Sequence, residues 1–181
     1  MSAVPAVDGL PTPAQSGWRW LPLSLCVILL DQLAKAWIVH HLTLLERVRL
    51  MPVLDVILTY NTGAAFSFLS GASGWQRWLF VLLAVGISLM LISWLRRLRA
   101  SSQGLLACGL ALIVGGALGN MIDRLLHGRV VDFILAHWAD HMFPAFNVAD
   151  SAITIGAVLI LLDVLFGPKQ ATPQASKGQA G

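Results

Sequence analysis

Charge is the scarcest property of this sequence. Of its 181 residues, 12% are Asp, Glu, Lys or Arg, 57% are hydrophobic, and the mean hydropathy is +0.75. Soluble domains carry about 25% charged residues, so this composition excludes an ordinary water-soluble domain and predicts a membrane protein. The formal net charge of +3 is small and scattered, which argues against a nucleic-acid partner.

Cysteine is also scarce. Cys26 and Cys108 lie in separate apolar runs, so the sequence favours neither a disulfide nor a cysteine metal site. We expect both to be core residues. A cleavable signal peptide is not indicated either, because only Arg19 precedes the first apolar run and no A-x-A site follows it.

Long apolar runs are what the sequence has in abundance. Four are long enough to span a hydrocarbon core of ~30 Å. They cover residues 18–39, 78–95, 105–122 and 148–166. The tails, 1–17 and 167–181, are rich in Pro, Gly and Ala, and we expect them to be disordered and cytoplasmic. The sequence therefore predicts an all-α membrane protein with four transmembrane helices in one domain over 18–166.

The segment 40–77 is the one long connection between the predicted helices. Residues 47–60 are rich in Val, Ile and Leu and are interrupted by Pro52, a composition that predicts a small β-sheet. Residues 66–78 mix aromatic with small polar side chains, which is typical of a helix lying at the membrane interface.

The loops predict an orientation. Arg96, Arg97 and Arg99 lie in the short connection after the second helix. By the positive-inside rule this connection and both termini are cytoplasmic, so 40–77 is periplasmic. Five arginines oppose this assignment, since they would lie on the other side: Arg47, Arg49, Arg77, Arg124 and Arg129.

Two groups of polar residues interrupt the apolar runs. Asp31 and Lys35 are one helical turn apart, so they can pair on one helix face. Asn120, Asp123 and Arg124 share a face of the third helix, and Arg124 is a natural local partner for a carboxylate. Both groups can be structural, since an ion pair makes a charged helix easier to insert, or they can support a site.

Two further carboxylates lie outside these two groups. Asp132 and Asp150 are 18 residues apart and flank the loop predicted between the third and fourth helices. If the loop brings them together, they cannot both ionise cheaply, and one holds a proton near neutral pH. This is the arrangement of aspartic proteases. Separate helix-capping and packing roles remain open from the spacing alone.

Other chemistries are less well supported. His137 and His141 in HWADH have a zinc-like spacing, but no third ligand is obvious and the segment is predicted as a loop. Ser67 and Ser151 lack a G-x-S-x-G motif. A transporter would place its polar breaks near the midplane, whereas here they cluster at one face. A non-catalytic membrane protein that binds a lipid headgroup or a proton is the alternative class.

Five ordered blocks carry a specific resemblance. They are DQLAK at 31–35, NTGAAFS at 61–67, GGALGNMIDR at 115–124, VVDF at 130–133 and FNVAD at 146–150. Together they resemble the bacterial lipoprotein signal peptidases, or signal peptidase II, over residues 18–166. The resemblance implies a multi-pass aspartic endopeptidase of the inner membrane, with its active site at the periplasmic face. Such enzymes remove the signal peptide from diacylglyceryl-modified prolipoproteins, just before the lipidated cysteine.

The resemblance also implies roles for single residues. The catalytic pair falls on Asp132 and Asp150. The supporting residues fall on Asp31, Lys35, Asn61, Gly63, Asn120, Asp123, Arg124, Asn147 and Ala149. Asn61 and Asn147 are candidates to hydrogen-bond the substrate backbone, with an orienting role as the alternative for Asn147. The resemblance implies no metal or cofactor, a contact with membrane lipid, and inhibition by the cyclic peptide globomycin. We expect a monomer.

Overall fold

Four long helices and one small sheet make up the described part of the computed structural model, which covers residues 9–63, 74–138 and 141–167. The helices are α1 (Leu21–His41), α2 (Trp75–Arg97), α3 (Gly104–His127) and α4 (Val148–Phe166). The strands are β1 (Arg47–Met51), β2 (Leu54–Asn61), β3 (Val130–Trp138) and β4 (His141–Met142). Each helix is long and apolar enough to cross a membrane, which confirms the four predicted spans.

The helix ends differ from the apolar runs where polar residues continue a helix. α2 begins three residues earlier than predicted, at Trp75, and α3 continues to His127. α3 ends there because Gly128 has φ +72, a left-handed conformation that glycine adopts without strain. α4 begins at Val148 as predicted, because Asn147 caps its first turn.

α3 is the central helix of the bundle and packs against the other three. Of the 18-residue apolar stretch in each helix, 56% is buried inside the protein in α3 but only 17% in α4. Small residues allow the close approach of α3 and α4: a Cβ on Gly109 would lie 2.8 Å from the carbonyl oxygen of Gly156. The outward faces of α1, α2 and α4 present exposed apolar side chains, as lipid-facing helices do.

The sheet is antiparallel with the strand order β1-β2-β3-β4. A small sheet was predicted from 40–77 alone, but that prediction was incomplete. β3 and β4 come from the connection between α3 and α4, which the sequence predicts as a loop. Pairing Asn61 with Val130 joins the two connections. One face of the sheet packs Leu58, Val131 and Phe133 against Ile38 near the end of α1.

The opposite end of the bundle is tied by the chain before α1. Disorder over 1–17 is wrong for the residues nearest the helix, because Ser16 is fully buried and Gly17 donates its N–H to Leu98 O at 3.1 Å. Ala100 likewise donates to Gln15 O at 3.0 Å, and a 3-10 turn (Gly17–Trp20) leads into α1. Most of the predicted interfacial helix, and the tail from 168, lie outside the described residues.

Candidate active site

Asp132 and Asp150 both line one cavity of about 960 Å³ at the sheet end of the bundle. Asp132 is the third residue of β3, and Asp150 lies in the first turn of α4. The turn at Gly128 makes this possible, because it ends α3 and directs the chain into β3 at the level where α4 begins. Asp132 is only 3% exposed, and Asp150 is half-buried.

Asn147 links the two carboxylates. Its side-chain amide donates to Asp132 Oδ1 at 2.7 Å, and its backbone N–H donates to Asp150 Oδ2 at 3.3 Å. Its Oδ1 accepts the N–H of Asp150 at 2.9 Å, which completes a capping box. The residue is fully buried. With its amide already occupied, Asn147 fits an orienting role and not a direct contact to substrate.

Asn120 of α3 holds Asp150 from the other side. Its amide nitrogen donates to Asp150 Oδ1 at 2.7 Å. Its amide oxygen accepts from Lys35 Nζ at 2.9 Å and from Asn147 at 3.1 Å. Because two donors converge on that oxygen, the Asn120 amide has one favoured orientation, with its nitrogen towards Asp150.

A buried ion cluster lies directly below this network. Lys35 Nζ is 2.7 Å from Asp31 Oδ2 and 2.9 Å from Asp123 Oδ2. Asp31 accepts the backbone N–H of Ala149 at 2.9 Å, and Asp123 accepts that of Val131 at 3.0 Å. One lysine therefore pairs with two carboxylates that between them hold α4 and β3.

Arg124 does not pair with the carboxylate beside it. It donates to Asn120 O at 3.2 Å and to Gly63 O at 3.0 Å, and it stacks over Phe80. Asp123 takes Lys35 instead, so a local Arg124–Asp123 partnership does not form in the described structure. Arg124 nevertheless lines the cavity, and its positive charge acts on both Asp132 and Asp150.

Asn61 and Gly63 bring β2 into the site. The Asn61 side chain hydrogen-bonds Asp132 and accepts the N–H of Gly63 at 2.9 Å. Gly63 is buried beneath Arg124. Residues 64–67 of the same sequence block lie outside the described residues, so only the start of that block is placed.

Burial and the neighbouring Asp150 charge raise the pKa of Asp132 to about 7. Hydrogen bonds from Asn61 and Asn147, together with the charge of Lys35, act in the opposite direction but are outweighed. Near neutral pH Asp132 is therefore partly protonated, as expected where two carboxylates share a site.

Gln32 is a site residue that the sequence patterns missed. Its amide nitrogen donates to Asp123 Oδ1 at 2.8 Å and approaches Asp31 Oδ2 and Gly119 O, each at 3.2 Å. It braces the carboxylates of the ion cluster against each other. The available signal was an amide next to Asp31 inside an apolar helix, where an unpaired polar group is costly.

The alternative zinc site and serine-protease site do not form among the described residues. The HWADH segment is not simply a loop, because His137 and Trp138 lie in β3 and His141 in β4. His137 Nε2 lies 3.3 Å from Asp55 Oδ2, and no group of three metal-ligating side chains occurs in the described chain. The Ser151 hydroxyl donates to Asn147 O at 2.9 Å, and this bond lies within the first turn of α4.

Comparisons with known proteins agree with this architecture. The family model described as "Signal peptidase (SPase) II" matches residues 23–166. The lipoprotein signal peptidase of Shewanella sp. (strain MR-4) is 53% identical over 154 residues, which are 85% of this chain and 90% of that protein. The lipoprotein signal peptidase of Pseudomonas putida is 49% identical over 169 residues, covering 91% and 98%.

A solved structure supports the fold as well. A bacterial membrane enzyme determined by the in meso method at 2.3 Å resolution is 30% identical, with a TM-score of 0.73, and the match covers 86% of this chain and 95% of that one. Four spanning helices and these matches place the chain in a class, the aspartic peptidases embedded in membranes. Within that class, the chain belongs to the signal peptidase II family, the lipoprotein signal peptidases.

Proposed function

We propose that this protein removes the signal peptide from diacylglyceryl-modified prolipoproteins, cutting just before the lipidated cysteine. The observation that carries this proposal is that Asn147 donates hydrogen bonds to both Asp132 and Asp150. Family membership supports the substrate class. The hydrogen bonds fix two carboxylates beside one cavity, and the proposed chemistry requires these carboxylates to share one proton.

The proposed reaction uses the two carboxylates in different protonation states. The ionised carboxylate of Asp150 takes a proton from a water molecule, which attacks the scissile carbonyl. The protonated Asp132 donates its proton to the carbonyl oxygen, and a tetrahedral diol forms. Asp150 then passes the proton that it took from water to the departing nitrogen, Asp132 takes a proton back from one hydroxyl of the diol, and the C–N bond breaks to give an amine and a carboxylic acid. A pKa of Asp132 near 7 fits the member of the pair that begins as the acid.

The cavity suits a lipid-anchored peptide. Its walls include Ile153 and Ile155 on the membrane helix α4, and Phe143 and Phe146 before that helix begins. These apolar groups would accept the signal peptide and its lipid near the level of the carboxylates. The lipid anchor then fixes the scissile bond at the depth where α4 starts. The same cavity is our proposed site for globomycin, and one protomer supplies every residue of it.

We further propose an inner-membrane location, with both termini cytoplasmic and the carboxylates at the periplasmic face. Arg96, Arg97 and Arg99 lie at the end of the bundle away from the sheet. Four of the five arginines at the sheet end are held by groups of the protein. Arg47 pairs with Asp55, Arg77 donates to Leu125 O, Arg124 donates to Gly63 O, and Arg129 stacks on Tyr60.

The test is turnover of a purified diacylglyceryl-prolipoprotein by Asp132→Asn and Asp150→Asn, each tested separately. Loss of a positioned acid or base lowers the rate by about 10²–10⁴-fold, and we expect losses of that size. Asp163→Asn, at the other end of α4, is the matched control. A folded variant of either paired aspartate with near-normal turnover would contradict the assignment. Lipid-dependent binding without cleavage by the wild type would support the non-catalytic alternative instead.

A further inference from the structure

One face of β2 continues beyond the cavity. Side chains alternate along a regular strand. β2 shifts its register against β3 between Val56 and Thr59, but Ile57, Thr59 and Asn61 all line the cavity, so the odd-numbered residues of β2 keep one face. Asp55 is the next member of the same row, and it lies opposite Leu135 of β3, which also lines the cavity. The floor of the cavity therefore leads along the sheet to Asp55.

A group of charged side chains surrounds that end of the row. Arg47 of β1 pairs through Nε with Asp55 Oδ2, and His137 of β3 approaches the same oxygen at 3.3 Å. Arg49 lies directly opposite Asp55 across the β1–β2 pair, and opposite residues in an antiparallel pair point to the same face. Asp55 is buried, whereas Arg49 is exposed. We name these four residues the distal charge cluster.

Within the distal charge cluster, Arg47 pairs with Asp55, and Arg49 is left as an additional cation. Burial alone would raise the pKa of Asp55, but the hydrogen bonds and charges of Arg47 and His137 outweigh burial and lower it. Asp55 is thus a carboxylate, and Arg47 neutralises it. Arg49 makes no ion pair with any described residue, so its charge is available to a ligand that follows the sheet.

The spacing defines which part of a peptide would reach the cluster. Thr59 lies opposite Asp132, and Asp55 is four residues away along the same strand. At about 3.3 Å per residue, that separation is about 13 Å. An extended peptide advances by a similar rise, so a chain that leaves the carboxylate pair along β2 meets the cluster about four residues from the scissile bond.

The chemistry of the two directions selects which side of the bond this is. Towards α4 the cavity is walled by Ile153 and Ile155, which suit the apolar signal peptide. Towards β1 the sheet carries exposed charge, and charge requires water. The polar segment after the cleavage site must return to water, so it fits the second direction.

We propose that the distal charge cluster is a specificity site for the mature segment of the substrate, with Arg49 favouring an acidic side chain about four residues after the scissile bond. This inference rests on the proposed peptidase activity. It adds a requirement that the cleavage chemistry itself does not impose, namely a preference set by the charge of a residue distant from the lipid.

The experiment compares diacylglyceryl-peptide substrates that differ only in the fourth residue after the cleavage site, which is Asp, Asn or Lys. An exposed charge pair contributes modestly, so we expect kcat/KM for the Asp substrate to exceed that for the Lys substrate about fivefold. Arg49→Glu should reverse the order, and Arg49→Lys should preserve it. Arg97 is an exposed arginine at the end of α2 that lies away from the sheet. The variant Arg97→Ala is the control and should leave the order unchanged.

The outcomes separate this inference from the proposed activity. Equal kcat/KM for the three substrates, with cleavage intact, overturns the specificity site alone. An Arg49→Glu effect that is the same for all three substrates also overturns it, because the arginine then acts on something common to them, such as lipid phosphates. No cleavage of any substrate by the wild type overturns both proposals.

Discussion

Asp31 and Asp123 occupy equivalent positions around Lys35. Each accepts the backbone N–H of the residue that directly precedes one of the paired aspartates: Asp31 holds Ala149, before Asp150, and Asp123 holds Val131, before Asp132. Lys35 lies within 2.9 Å of both. The ion cluster thus supports the backbone at the residue before each carboxylate of the site.

Replacing the lysine tests this support. Lys35→Met leaves two buried carboxylates without their cation, and we expect a loss of about 3–5 kcal/mol in the free energy of unfolding. Thermal unfolding in detergent micelles measures it. The triple variant Asp31→Asn, Lys35→Met, Asp123→Asn removes the charges but keeps oxygen acceptors, so most of the stability should return. Turnover should stay low in the triple variant, because Asn120 still lacks its lysine donor. Full recovery of turnover would contradict a positioning role.

Asn147→Asp separates the cap from the orienting role. Asp caps a helix as well as Asn does, so α4 should still begin at residue 148. The new side chain, however, has no amide to donate to Asp132 Oδ1, and it adds a third carboxylate to the pair. We expect kcat to fall by about 10²-fold or more, and the melting temperature to fall as well, because the new carboxylate is buried among hydrogen-bond acceptors. A folded variant with near-normal kcat would instead indicate a cap alone.

The pH dependence of kcat/KM should have an alkaline limb. In the proposed mechanism Asp132 is the proton donor, so its protonated form is the active one. That form is present below its pKa of about 7 and is lost as the pH rises through this value. The hydrogen bond from Asn61 lowers this pKa, so Asn61→Ala should move the limb to higher pH. A limb that stays in place in the Asn61→Ala variant would contradict this assignment.

Two glycines form a matched pair for a packing test. A Cβ on Gly116 would collide with the carbonyl oxygen of Ala149 and lie 2.7 Å from a side-chain carbon of Ile153, whereas a Cβ on Gly86 meets nothing within 4 Å. Gly116→Ala should cost about 1–3 kcal/mol through overpacking. Gly86→Ala should be neutral or stabilise α2 by up to about 1 kcal/mol. Unfolding midpoints of the two variants, measured side by side, decide the matter.

Much of the fold could be predicted because membranes restrict the possibilities. An apolar run of sufficient length in lipid must be a helix, and all four runs proved to be helices. The start of α4 was predictable because Asn147 is a local capping signal. β3 was not predictable, since residues Val130–Trp138 become a strand only through pairing with β2, and that partner is some 70 residues earlier in the chain.

The residues of the site were likewise predictable only in part. The candidates Asp132 and Asp150 could be selected because they flank one predicted loop, and the structure places both on one cavity. The spacing also suggested Arg124 as a local partner for a carboxylate, but Lys35 of α1 reaches Asp123 across the bundle. Helical spacing reveals neighbours on one helix only. Contacts between helices depend on how the helices pack, which no local pattern encodes.

The central position of α3 has a consequence for the membrane in which the protein works. α3 carries Asn120 and Asp123, while α1 and α4 meet it through close contacts such as Gly119 against Asp31. α2 packs on α3 as well, since Leu91 and Leu95 share a core cluster with Leu110, and its Phe80 contacts Arg124 of the cavity wall. When bilayer thickness changes, helices accommodate by tilting, and a tilt of any outer helix is transmitted to α3. We therefore expect the rate of cleavage to depend on the acyl length of the surrounding lipid.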